Sequence, residues 1–134
     1  MKGQRALRLG AVLMALLGLA RAAGGILLLT RGSAADPRIH AGGPTVAAVG
    51  MVLLVLGSIL LAAAVGVFVR RRLFWRIGIA CTIAFVIDGG INGTLLYGKP
   101  GDQGTVVNVV VAAAILICLR AGAKALDGGD GRSA

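Results

Sequence analysis

The sequence predicts an all-α integral membrane protein, a four-helix bundle whose antiparallel helices run up-down-up-down. Three observations carry this prediction. Four long apolar runs fill most of the 134 residues, with 57% hydrophobic and only 14% charged, where a soluble domain is roughly half apolar and about a quarter charged. The charges gather at the ends of those runs. The connections are short and rich in turn residues, so successive spans must return alongside one another. The mean hydropathy is +0.92. One four-span transmembrane domain, 1–126, accounts for nearly the whole chain, followed by a short tail, 127–134.

Span one covers about 7–30, longer than the ~20 residues needed to cross the hydrocarbon core. Its Ala20-Arg21-Ala22 also fits the A-x-A cleavage site of a secretory leader. The apolar run continues through Ile26-Leu27-Leu28-Leu29, however, which a cleaved leader does not need, so the segment reads as a retained span. Residues 31–44 hold Asp36-Pro37 and Gly42-Gly43-Pro44, both turn signals. Span two covers about 45–69, with Ser58, Ala62 and Gly66 recurring every four residues as a small-residue packing row. The run Arg70-Arg71-Arg72 then anchors the chain at an interface and can contact anionic lipid.

Span three covers 73–97, with Phe74 and Trp75 at one interface and Tyr97 at the other, where aromatic rings belong. Its centre reads Asp88-Gly89-Gly90-Ile91-Asn92-Gly93, a string of turn signals in water. A helix from Leu73 to Ile87 would span only about 22 Å, short of a core about 30 Å thick. The helix is therefore expected to continue through this stretch, straight or kinked. Lys99-Pro100-Gly101-Asp102 makes the next turn. Span four covers about 104–120, the shortest, extended if Arg120 snorkels toward the headgroups. The tail from Asp127 is Gly-rich and expected to be disordered and cytoplasmic.

Basic residues set the orientation. Ten lie on one side, at Lys2, Arg5, Arg8, Arg70, Arg71, Arg72, Arg76, Arg120, Lys124 and Arg132, against three on the other, Arg31, Arg38 and Lys99. By the positive-inside rule both termini are cytoplasmic and the protein is a multi-pass protein of the cytoplasmic (inner) cell membrane. The same rule accounts for the net charge of +9 without nucleic acid as a partner. Cys81 and Cys118 both lie within spans near the basic side, where thiols stay reduced.

The candidate site is the polar set inside the spans. A charge in hydrocarbon costs about 2.5–3.5 kcal/mol on insertion scales, so Arg21 and Asp88 call for a reason. Counting along each span places Arg21, Asp88 and Asn108 in one layer, past the midplane on the side away from the basic ends. The row Ala80, Ala84, Asp88, Asn92 in span three is expected to face Gly104, Asn108, Ala112 in span four, and Arg21 to pair with Asp88. Arg21, Asp88, Asn92 and Asn108 are thus the candidate ligand- or ion-binding residues.

No enzyme motif is present. The single histidine, His40, lies in a loop, so no Ser/His/Asp or Cys/His set can form, and neither a metal site nor a cofactor is indicated. No motif specific to a known family appears; small multidrug exporters carry a Glu in span one, where this chain has Arg21. Two functions remain as expectations. One is a transport or small-ligand-binding unit working as a homo-oligomer. The other is a non-catalytic accessory or assembly subunit of a larger membrane complex, its polar layer structural.

Overall fold

The computed structural model describes residues 2–99 and 103–127. The expected turn at Lys99–Asp102 falls mostly outside them, as does the tail beyond Asp127. The described chain is helical throughout its spans: α1 (Lys2–Arg31), α2 (Gly43–Phe68), α3 (Arg72–Tyr97) and α4 (Gln103–Gly122), with a 3-10 turn at Gly32–Ala35 and one last helical turn, α5 (Lys124–Asp127). The first four are each long and apolar enough to cross a membrane. Large apolar side chains such as Leu16, Leu19, Val65, Val110 and Ile117 point outward. Such a surface is a liability in water and costs nothing in hydrocarbon, so this is a multi-pass membrane protein. The helix α3 passes unbroken through Asp88–Gly93. Bonding along the helix axis leaves no backbone group open to lipid.

The helices pack as a ring, α1 on α2, α2 on α3, α3 on α4 and α4 back on α1. Close approaches fix their directions. Gly18 of α1 lies against Gly57 of α2, and Gly25 against Gly50, so α1 and α2 are antiparallel. Met14 lies on Gly78 and Arg21 near Gly89, so α3 runs with α1; Gly10 lies on Cys118 and Leu7 on Gly122, so α4 runs against it. Buried positions recur in alternating steps of three and four. In α1 they include Leu7, Ala11, Met14, Gly18, Gly25 and Leu28; in α3 they are Gly78, Thr82, Phe85, Gly89, Asn92 and Leu96. A seven-residue repeat keeps one seam facing the neighbours over the full length, as in a left-handed coil.

That register corrects the expected packing rows. Ala80 and Ala84 are exposed, as are Ser58 and Ala62. Steps of four at 3.6 residues per turn drift around the helix, so a long i+4 row leaves the interface. Only its ends, Asn92 and Gly66, are buried. The α1–α2 seam is instead made by Gly18, Gly25, Gly50 and Gly57. A Cβ at Gly57 would stand 2.7 Å from the Ala22 amide nitrogen and the Gly18 carbonyl oxygen. Only glycine allows the two backbones so close.

Two clusters fill the bundle. At the end holding the basic residues, here the basic end, Leu7, Met14, Leu60, Val67, Ile115, Leu119 and Leu126 form a core, against which Phe74, Trp75 and Ile77 of α3 pack half-buried. Trp75 closes it: its Nε1–H donates to the Leu119 carbonyl at 2.9 Å, one of the last α4 carbonyls left without a helical donor. The α2–α3 turn is a Schellman cap, with Arg71 N–H donating to Gly66 and Arg70 N–H to Val67. Its left-handed position is taken by Arg70, at φ 62°. At the opposite end, here the loop end, Leu28, Ile39, Val46, Val49, Leu53 and Leu96 cluster with no described α4 residue among them.

Candidate functional site

The seven-residue repeat explains where Arg21 points. It occupies the position that Leu7, Met14 and Leu28 occupy in other turns of α1, and it faces the bundle interior at its mid-height. Its guanidinium carbon sits 4.2 Å from the centre of the Phe85 ring, a cation–π contact whose strength grows as water is excluded. The arginine edge then reaches Gly89. The position of a Cβ at Gly89 lies 3.7 Å from Arg21 Nη2 and 3.5 Å from Asn108 Nδ2. Glycine at 89 thereby leaves a hollow on α3 onto which two side chains from α1 and α4 converge.

Above this hollow lies an open cavity of about 530 Å³. Arg21, Asn92 and Asn108 supply its polar floor, Leu27, Leu28, Leu53 and Leu96 apolar walls, and Gly24, Gly93 and Gly104 space. It exists because α4 brings no large apolar side chain inward there. The buried positions of α4 begin at Ala112, and from Gly104 to Val110 none is buried. The first loop roofs the cavity. His40 N–H donates to the Leu96 carbonyl at 3.0 Å, Ile39 is buried, and the Tyr97 hydroxyl reaches Asp36 at 3.4 Å. Arg38 grips Asp36 through two contacts, Nε to Oδ1 at 3.2 Å and Nη2 to Oδ2 at 3.0 Å, and its guanidinium lies over the Tyr97 ring. The Arg38 side chain and its backbone N–H hold the Asp36 carboxyl below the usual carboxylate range.

Three of the four predicted residues, Arg21, Asn92 and Asn108, therefore meet at one cavity. Asp88 does not. It is half-buried and receives the Asn92 Nδ2–H at 2.7 Å, one turn away on its own helix. It makes no ion-pair contact with Arg21; among the described residues the ion pair is Arg38 with Asp36. The expected Arg21–Asp88 pair is thus replaced by a longer-range attraction. The reason is register. Asp88 lies two heptads beyond Phe74, which packs on Gly66 of α2, so Asp88 sits on the α2 edge of α3 while Arg21 and Asn108 meet over Gly89. Phe85, Gly89, Asp36, Arg38 and Tyr97 went unmarked as site residues in the sequence reading. The spacing 7-14-21-28 could have signalled the inward-facing arginine; nothing local signals that Asp36 and Tyr97, 61 positions apart, meet.

No protein-family model, curated protein or solved structure matches this chain.

Proposed function

We propose that the protein is a small-ligand-binding or transport unit of a cytoplasmic (inner) membrane, non-enzymatic, with both termini in the cytoplasm and its site opening outward. One observation carries this reading: an open cavity within a membrane-spanning bundle is floored by a half-buried arginine that no carboxylate among the described residues touches. Structural polar residues in membranes pair off with one another or with backbone. An arginine held at a cavity is better suited to a ligand. The volume lies within the roughly 300–1,000 Å³ usual for small-molecule sites. Four short helices enclose too little for a complete path across the membrane, so transport calls for a homo-oligomer.

The test has two parts. Cysteines placed at 98–103 should react with an impermeant thiol reagent from outside intact cells, and cysteines at 125–134 should not; labelling of the tail from outside defeats the orientation. Purification in mild detergent then separates the roles, a homo-oligomer agreeing with transport.

The accessory-subunit reading has its own support. Ala80 and Ala84 on α3 and Ser58 and Ala62 on α2 are exposed, small residues on faces where a partner helix could approach closely. Stoichiometric foreign subunits in the same purification would favour it. The exposed Arg70, Arg71 and Arg72 suit anionic headgroups in either case.

A further inference from the structure

The polar groups of the cavity differ in what they still have to offer. Asp36 and Arg38 at the rim cancel each other through a two-point contact. Asn92 spends an amide proton on Asp88. Among the described residues Arg21 donates no hydrogen bond, yet none of its nitrogens is buried without a partner, so its donors open onto the cavity. One ring face of Phe85 covers the guanidinium, which leaves the edge to bind. That edge converges with the Asn108 amide on the hollow above Gly89. Two donor nitrogens within 3.7 Å of one point, one of them in a fixed fork, form a cradle for an oxyanion. The walls beyond it are leucines, the inner face of Ile39 and the ring of Tyr97.

We infer that the cavity binds a small amphiphile by a monoanionic oxyanion head, a carboxylate or a phosphodiester, seated on Arg21 and Asn108 over Gly89, with the apolar body against Leu28, Leu53 and Leu96. This rests on the ligand-binding reading above and adds the ligand's chemistry. The charge is single because, among the described residues, Arg21 is the one cation lining the cavity with no carboxylate in contact. The head lies deep and the body runs toward the roof, since Arg21 is on the floor. Two sources supply this chemistry: a soluble organic anion arriving past the roof, or an anionic lipid of the outer leaflet that enters sideways between α1 and α4, where no described α4 residue above Ala112 is buried, and tips its headgroup inward to Arg21.

Gly89→Ala is the decisive variant. Its methyl group would meet Asn108 and Arg21 at ordinary contact distance, so the fold is kept, and it fills the seat of the head. The full chain would be placed in phosphatidylcholine nanodiscs and tested by equilibrium dialysis with radiolabelled octanoate, using empty nanodiscs as background. Octanol and octylamine serve as competitors of equal chain length. Saturable octanoate binding is expected, at least tenfold weaker in Gly89→Ala and in Arg21→Gln, with octanol and octylamine competing at least tenfold less well than unlabelled octanoate. Nanodiscs containing phosphatidylglycerol separate the sources: loss of octanoate binding there identifies the lipid, and unchanged binding identifies a soluble anion. Octanol competing as well as octanoate, or equal octanoate binding in wild type and Gly89→Ala, would overturn the anionic head while leaving a ligand-binding cavity. If labelled octanoate, octanol and octylamine all fail to bind saturably, the ligand-binding reading falls as well.

Discussion

The two ends of this bundle are built on one seven-residue register and come out differently. At the basic end the register carries Leu7, Met14, Leu60, Val67, Ile115 and Leu119, and all four helices close on one another. At the loop end the same register in α1 carries Arg21 before Leu28, α4 presents Asn108 in place of a bulky apolar residue, and an open cavity lies beside a core that no described α4 residue joins. The tight α1–α2 seam runs from the middle toward the loops without opening, with Gly57 on Gly18 nearer the middle and Gly50 on Gly25 toward the loops. The difference therefore lies with α4. A shared period aligns helices, but the side chains at the inward positions decide whether a layer packs or stays open.

The contrast breaks most visibly at Leu119. It is fully buried at the basic end, and Leu119→Ala should cost about 2–5 kcal/mol through lost contacts and a new void. Asn108→Ala, on the same helix but bordering the cavity, should cost well under half of that. Thermal unfolding of both variants in one detergent compares them, and equal losses would mean the loop end is as tightly packed as the basic end.

Two neighbouring glycines give the next largest contrast. A Cβ at Gly25 would stand 2.6 Å from the Gly50 carbonyl oxygen, while one at Gly24 meets nothing within 4 Å. Gly25→Ala should lower stability by about 1–3 kcal/mol, because backbone must separate. Gly24→Ala should be neutral or gain a little, since alanine favours helix by about 1 kcal/mol over glycine. A Gly25→Ala variant as stable as Gly24→Ala would contradict the close α1–α2 seam.

Arg21→Met sharpens the account of the loop end. The change removes a cation–π contact worth about 0.5–2 kcal/mol and also removes a charge that is costly at membrane depth. With no ion-pair partner stranded, stability should stay within about 1 kcal/mol of wild type. A loss of the ~3–5 kcal/mol typical of a broken buried pair would restore the direct Arg21–Asp88 bridge. At the basic end, Arg70→Gly should gain about 1 kcal/mol by relieving a left-handed arginine; no gain in melting temperature would show that the turn carries no strain.

The smallest effect concerns the roof. Arg38 lowers the Asp36 pKa, so the contact is complete above the unfolded carboxylate value near 4 and is lost as pH falls through the lower folded value. The His40 amide, bonded to Leu96, should exchange at similar rates relative to Asp36→Asn only in strong acid, with wild type better protected at higher pH. Equal protection of the two at neutral pH would show that Asp36 does not hold the roof.

Much of this architecture was legible in the chain. Span lengths and short turns dictate four antiparallel helices, because hydrocarbon leaves the backbone no other way to satisfy its hydrogen bonds. The unbroken α3 followed from length alone, since Leu73–Ile87 could not cross. Arg21, Asn92 and Asn108 were identifiable because polar groups are rare and costly in such spans. What the sequence by itself could not determine is which of them meet. A one-position shift turns a side chain by about 100°, so Asp88 and Gly89, adjacent in the chain, face different neighbours. Only the tertiary packing decided that Arg21 lies on Phe85 and over Gly89, that α4 stands open above Ala112, and that Asp36 reaches Tyr97. Those outcomes depend on how four helices rotate against one another and how a loop folds back; the spacing within one helix marks its inward face but not the neighbours that face meets.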